Sequence, residues 1–155
     1  MPIPTSATAK YEKRDRVAWV TLNRPEAMNA LNTEMRGAIA ECFDEVTRAD
    51  DVLVAVLIGE GGRAFSAGAD LKEFTARGGT TSERPEGQGS LGNHEVFECP
   101  KPVIAAIDGY ALAGGMELAN RCDIRIATEK SQLGFPESQR GLFSMLSVDT
   151  VEAGF

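Results

Sequence analysis

The segment Ala111-Leu112-Ala113-Gly114-Gly115-Met116-Glu117-Leu118-Ala119 brings together the groups needed to hold an oxyanion and to move a proton. Two glycines follow an apolar stretch and open a helix that carries a carboxylate one turn in. Glycine lets a ligand come close to the backbone. The start of a helix presents N–H groups that lack intrahelical partners, in a field that favours negative charge. Glu117 stands among Leu112, Met116, Leu118 and Ala119, and a carboxylate buried among apolar side chains is costly without a role. A second segment, Arg63-Ala64-Phe65-Ser66-Ala67-Gly68-Ala69-Asp70-Leu71-Lys72-Glu73, places small residues just before another helix start. Two converging N–H donors, one from each segment, would make an oxyanion hole, with each donor worth ~3 kcal/mol in the transition state. Glu137 follows the Gly-and-Pro turn of Leu133-Gly134-Phe135-Pro136. If that turn folds over the Gly114 segment, two carboxylates face one cavity, and environments that push their pKa values apart create an acid and a base. Read singly, each glycine segment is more often a tight turn and Glu137 a solvated loop acid. It is the combination that points to chemistry.

The elements that must position these groups are legible in outline. Arg16–Leu22 reads as a strand, rich in β-formers, and Asn23-Arg24-Pro25-Glu26 breaks it. Asn32 or Thr33 caps a helix running to about Ala49, with Met35, Ile39, Cys42, Phe43 and Val46 at helical spacing. Val52–Ile58 is a continuous apolar run, as expected of a strand buried on both faces. Asp70-Leu71-Lys72-Glu73 matches a capping box and starts a short helix. Val103–Ile107 and Asp123–Ala127 are further strands, separated by a helix from Gly115. This alternation predicts a mixed α/β layer fold. Residues 1–10 read as a flexible tail. Residues 75–95, rich in Gly, Ser, Thr, Glu and Arg, read as a mobile surface loop.

Composition bounds the function. A chain of 155 residues fits one domain and is long enough to bury a core. Its 43% hydrophobic and 25% charged content is that of a globular protein, and a net charge of −7 argues against general nucleic-acid binding. Cys42, Cys99 and Cys122 match no disulfide or zinc spacing, which predicts reduced thiols and a cytoplasmic setting. No apolar run near the start reads as a signal peptide, and none approaches the ~20 residues of a membrane span, so no membrane partner is expected. No His/Cys/Asp cluster has metal-ligand spacing, and no metal is expected. Gly59-Glu60-Gly61-Gly62-Arg63-Ala64 fits a relaxed dinucleotide fingerprint, but no helix opens there. Ala64-Phe65-Ser66-Ala67-Gly68 approximates a nucleophile elbow without its first glycine, and the single histidine, His94, lies in the polar loop, which leaves a serine hydrolase a distant reading.

Taken together, Asn23-Arg24-Pro25-Glu26-Ala27-Met28-Asn29-Ala30-Leu31, Ala64–Glu73, Lys101-Pro102-Val103-Ile104-Ala105-Ala106-Ile107-Asp108-Gly109-Tyr110-Ala111, Gly114–Ala119 and Phe135-Pro136-Glu137 resemble the enoyl-CoA hydratase/isomerase, or crotonase, superfamily. The segments stand in the family's order and spacing from about residue 11 to Phe143. The resemblance implies a crotonase-like spiral of ββα units in a core domain over 11–143. After Gly141-Leu142-Phe143 the chain departs from the family pattern, so residues 144–155 read as an atypical, truncated end. The helical region that covers the acyl pocket and builds the family's homotrimer or hexamer would then be lacking, and apolar surface would be exposed.

The resemblance also implies a site. Backbone N–H groups of Ala67 and Gly114 would hold a thioester carbonyl, and Glu117 and Glu137 would be the catalytic carboxylates. Met28 and Ala30 would lie near the pantetheine and phosphate end of a bent coenzyme A. Ala67, Asp70 and Leu71 would flank its adenine and thioester, Gly68, Ala69 and Gly115 would also bind the substrate, and Arg24 and Lys72 would be phosphate neighbours. Coenzyme A would enter only as part of the substrate, with no separate cofactor. The implied reaction is reversible addition of water to a 2-enoyl-CoA thioester. Alternatives are an enoyl-CoA isomerase, another acyl-CoA dehydratase such as one acting on carnitinyl-CoA, or an inactive acyl-CoA-binding fragment.

Overall fold

The computed structural model describes residues 6–76 and 93–137. The main sheet has five strands in the order β1-β2-β3-β5-β7, formed by β1 (Ala9–Arg14), β2 (Val17–Leu22), β3 (Val54–Gly59), β5 (Val103–Ile107) and β7 (Ile124–Ala127). β1 and β2 form an antiparallel hairpin, registered from Ala9↔Leu22 to Arg14↔Val17, and the remaining pairs are parallel. A second, parallel sheet holds three short strands, β4 (Ala64–Ser66), β6 (Tyr110–Leu112) and β8 (Gln132–Gly134). Three strands of the main sheet are each followed by a short one in the other layer: β3 by β4, β5 by β6, β7 by β8. Helices α2 (Leu71–Ala76) and α3 (Asn93–Phe97) follow β4, and α4 (Gly114–Asn120) follows β6. This is the α/β spiral of ββα units that the resemblance implies.

Helix α1 (Thr33–Arg48) joins β2 to β3. Asn32 caps it, its side-chain oxygen accepting from the Met35 N–H at 2.8 Å. Met35, Ile39, Cys42, Phe43 and Val46 form its buried stripe, as their spacing predicts, and join Val20, Leu22, Leu57, Phe65 and Ile107 in one core. Each large apolar side chain so buried contributes about 1.5–3 kcal/mol. At the far end of α1, Lys101 Nζ donates to the carbonyls of Val46 and Ala49, both at 2.6 Å, satisfying groups the helix leaves unpaired. All three cysteines are free thiols, and burial pushes the Cys42 and Cys122 thiols up to about 12. β7 stands at the edge of the main sheet, with Ile124 51% and Ile126 60% exposed.

Two sequence expectations change. The tail read over residues 1–10 runs into β1: Ala9 is fully buried, and Ala9 and Tyr11 face inward while Lys10 and Glu12 face out. Charged residues on the outer face hid the alternation. The loop read at about 75–95 begins inside α2 and ends inside α3, and its middle lies outside the described residues, as does the end at 144–155. The second sheet was not legible at all, because strands of three residues are too short to show a period.

Candidate functional site

The site is built where the loop after β2 meets the loop after β4. Pro25–Ala27 forms one 3₁₀ turn, and Met28 and Asn29 both take φ 53, a left-handed conformation that Asn tolerates better than most residues. Asn29 is fully buried and fully used. Its Oδ1 accepts from the Arg24 N–H at 2.9 Å, and its Nδ2 donates to the carbonyls of Glu60 and Ala64 at 3.0 and 2.8 Å. Ser66, also fully buried, donates its hydroxyl to the Asn29 carbonyl at 2.8 Å. The motif was visible in the sequence, but these roles were not. Nothing in the residue types says which carbonyls will need a donor.

The amides of the second loop are taken one by one. Ala67 N–H donates to the Met28 carbonyl at 3.0 Å, and Gly68 N–H to Ser66 Oγ at 3.2 Å. Leu31 N–H donates to the Gly68 carbonyl at 2.7 Å, and Asp70 N–H to the Leu31 carbonyl at 3.3 Å. Between them, Ala69 N–H has no partner among the described residues. This moves the expected donor from Ala67 to Ala69: the Ala67 amide is already committed to Met28, and offering it to a ligand would break that bond.

Ala69 meets α4 directly. A Cβ built on Gly114 would lie 3.6 Å from the Ala69 nitrogen, and one on Gly68 would lie 2.9 Å from the Gly114 nitrogen. Gly68 also has φ +92, so both its conformation and its surroundings exclude a side chain. As the first residue of α4, Gly114 has no intrahelical acceptor for its N–H. Neither the Ala69 nor the Gly114 amide has a partner among the described residues, and the two peptide units stand against each other. Ahead of Gly114, Ala113 takes φ 52 and ψ −126, a region costing a non-glycine residue about 1–3 kcal/mol. Its N–H donates to the Gly134 carbonyl at 3.0 Å, which fixes the bend. An alanine gives no sequence signal of such a turn.

The same bond brings the two carboxylate-bearing segments together. β6 and β8 end in register at Leu112↔Gly134. The two strands therefore leave the sheet at one level, Glu117 lying five residues beyond Leu112 on α4 and Glu137 three beyond Gly134. Both residues are half-buried, and the Glu137 Oε2 atom is buried without a hydrogen-bond partner among the described residues. A buried carboxylate oxygen left open is expensive unless a ligand or water meets it.

Gly115 makes the close approach of α4 possible. A Cβ there would fall 2.2 Å from the Ser66 carbonyl oxygen and 2.7 Å from its carbon, both backbone atoms that cannot swing aside. Gly115→Ala is expected to push α4 off β4 and cost about 1–3 kcal/mol, read as a lower urea midpoint at unchanged m. An unchanged midpoint would show that the helix is not seated there.

Asp70 holds the start of α2. Its Oδ1 accepts from the Lys72 and Glu73 amides at 3.0 and 3.3 Å, and its Oδ2 from Arg24 Nη2 at 3.0 Å. The capping box is not reciprocal: Glu73 Oε2 accepts instead from the Thr33 N–H of α1 at 3.0 Å. Arg24 Nη1 donates to the Ala30 carbonyl at 2.7 Å. Two of the guanidinium's N–H donors are thus engaged inside the protein, whereas Lys72 and Leu71 are exposed. Burial alone raises the Asp70 pKa, but the Arg24 bond and the two amides outweigh it and hold the carboxyl below its ordinary value. A carboxylate depressed in the folded state stabilises the protein above its unfolded pKa, and that stability is lost as pH falls through the folded pKa. Asp70→Asn should therefore lower stability at pH 7 and flatten the acid limb of the unfolding curve below about pH 4. An acid limb identical to that of the parent chain would remove Asp70 from this role.

Among the described residues no group of three or more His, Cys, Asp or Glu is arranged to hold a metal ion, and no helix is long and apolar enough to cross a membrane. His94 is exposed on α3.

Comparison with known proteins agrees with the geometry. The short-chain-enoyl-CoA hydratase of Clostridium acetobutylicum is 41% identical over 135 residues, covering 84% of this chain and 50% of the relative. The (E)-benzylidenesuccinyl-CoA hydratase of Thauera aromatica is 42% identical over 129 residues, covering 81% and 49%. A crystal structure of an enoyl-CoA hydratase from Mycobacterium tuberculosis superposes with a TM-score of 0.77 at 40% identity, covering 90% of this chain and 53% of that one. The chain spans about half the length of the curated relatives it matches. The family model for enoyl-CoA hydratase/isomerase matches residues 12–152, continuing past Phe143, where the motif resemblance ends. This chain belongs to the enoyl-CoA hydratase/isomerase family, the crotonase superfamily.

Proposed function

We propose that the chain carries the site of an enoyl-CoA hydratase and adds water reversibly across the α,β double bond of a 2-enoyl-CoA thioester. The observation that carries this reading is the pair of amides, Ala69 and Gly114, that stand close together with no partner among the described residues, beside the α4 segment that bears Glu117. A thioester carbonyl placed between the amides accepts from both. When water adds at C3, the carbonyl oxygen gains negative charge as an enolate, and donors already aimed at it need no reorganisation. One carboxylate takes the proton from the attacking water, and the other, protonated, delivers a proton to C2. The two glutamates act as a coupled pair, so their protons belong to the pair rather than to either residue. An isomerase moving the double bond needs no added water. Two candidate acids, Glu117 and Glu137, on segments that leave paired strands therefore favour hydration.

Met28 and Ala30 lie on the loop that the Leu31–Ala69 bridge presses against Gly68–Asp70, which supports placing the substrate along this seam. The test is to mix the chain with crotonyl-CoA and follow loss of the conjugated enoyl-thioester absorbance. Turnover to 3-hydroxybutyryl-CoA is expected. Binding of crotonyl-CoA without turnover would replace hydration with acyl-CoA binding alone.

A further inference from the structure

Arg24 sits at the head of a continuous line of hydrogen bonds that ends at the Ala69 amide. Its Nη1 donates to the Ala30 carbonyl at 2.7 Å. That carbonyl belongs to the peptide unit whose N–H is Leu31, and Leu31 N–H donates to the Gly68 carbonyl at 2.7 Å. The Gly68 carbonyl belongs in turn to the peptide unit whose N–H is Ala69. In each trans peptide the C=O and N–H point in opposite directions, so one unit hands the polarisation to the next. We propose that Arg24 is a positioning residue for the oxyanion site, one that orients and polarises the Ala69 N–H through the Ala30–Leu31 and Gly68–Ala69 peptide units.

Three observations support this beyond the chain of contacts. Both bonds in the line are short for N–H···O, as expected where a charged donor heads the series. The guanidinium side chain is 18% exposed, so water screens it little. Its other arm is fixed at 3.0 Å by Asp70, the residue immediately after Ala69, and its backbone N–H is fixed by Asn29. The planar fork therefore cannot turn away, and both sides of the Ala69 amide are referred to one group. Arg24 reaches the Ala69 amide only through backbone.

This inference rests on the hydratase reading, and its test separates the two. The probe is acetoacetyl-CoA, a β-keto thioester whose enolate absorbs in the near ultraviolet where its keto form does not. The readout is the fraction of bound ligand present as enolate, alongside calorimetric binding of butyryl-CoA. Arg24→Ala is expected to lower the enolate-to-keto ratio about 10-fold while butyryl-CoA affinity stays within about 3-fold. Arg24→Lys restores part of the ratio by returning a charged donor to the Ala30 carbonyl. Asp70→Asn leaves Arg24 on that carbonyl and should retain more of the ratio than Arg24→Ala. If Arg24→Ala does not fold, Arg24→Lys decides: a compact ammonium in place of the fork is expected to give about a 3-fold loss. Ratios equal to that of the parent chain in the Arg24 variants would overturn the relay while leaving the hydratase reading intact. A parent chain that binds butyryl-CoA yet forms no enolate would overturn both.

Discussion

Glu117→Gln should lower kcat for crotonyl-CoA hydration by about 10³-fold, within the range a positioned acid or base contributes. The substitution keeps the size and shape of the side chain but removes its ability to take or give a proton. Glu117 is half-buried on α4, one turn beyond the Gly114 amide, and that helix is seated against β4 through Gly115. An isosteric change there should leave α4 in place, so KM should move by only a few-fold and the thermal midpoint should be preserved. Loss of kcat at preserved KM is the mark of an interaction made in the transition state. If kcat falls together with the thermal midpoint, Glu117 supports the fold and its place in the chemistry is lost.

A second large effect is expected from one backbone atom. Replacing Ala69 by its α-hydroxy acid analogue turns the 68–69 amide into an ester and deletes the Ala69 N–H with the side chain unchanged. Removing one oxyanion donor costs about 10²–10³ in kcat. The same replacement at Ala67 deletes a donor that serves the Met28 carbonyl, 3.0 Å away, and not a ligand. It should cost about 0.5–1.5 kcal/mol of stability, the usual net value of a hydrogen bond, with kcat little changed. The two esters thus separate a catalytic amide from a structural one two residues away, by stopped-flow kinetics and urea titration of each. Equal kinetic losses at both positions would contradict the assignment.

That two-residue difference also marks the limit of what the sequence could tell. Helix α1 was legible because its stripe from Met35 to Val46 repeats over about three turns and Asn32 stands at its cap. β3 and β5 were legible as apolar runs. The run Ser66-Ala67-Gly68-Ala69 was recognisable as backbone approaching a ligand, but its composition cannot say which amide stays free. That depends on Met28 and Leu31, some 40 residues earlier in the chain, whose groups claim the Ala67 and Asp70 N–H and the Gly68 carbonyl. The capping box behaved similarly. Asp70 caps α2 as its type predicts, but Glu73 finds the Thr33 amide of a different helix, a partner that exists only after folding. Arg24 was read only as a phosphate neighbour, because a lone arginine after a strand gives no sign that a carbonyl and a carboxylate will converge on it.

Those buried partners give the site its precision. The Ala67, Gly68 and Asp70 amides and the Gly68 carbonyl around the Ala69 N–H are all engaged within the protein, so the loop cannot shift to satisfy that amide without breaking other bonds. A misplacement of ~1 Å costs ~100-fold in rate, and Asn29, Ser66 and Arg24 hold the loop against it from three sides.

The most direct test of the paired-amide site is an amide-resolved titration. Uniformly ¹⁵N-labelled chain is titrated with acetoacetyl-CoA, and the amide proton shifts of Ala67, Ala69 and Gly114 are followed. The account predicts large downfield shifts at Ala69 and Gly114 that saturate together, with the Ala67 amide nearly still. A downfield shift at Ala67 with Ala69 unmoved would contradict it.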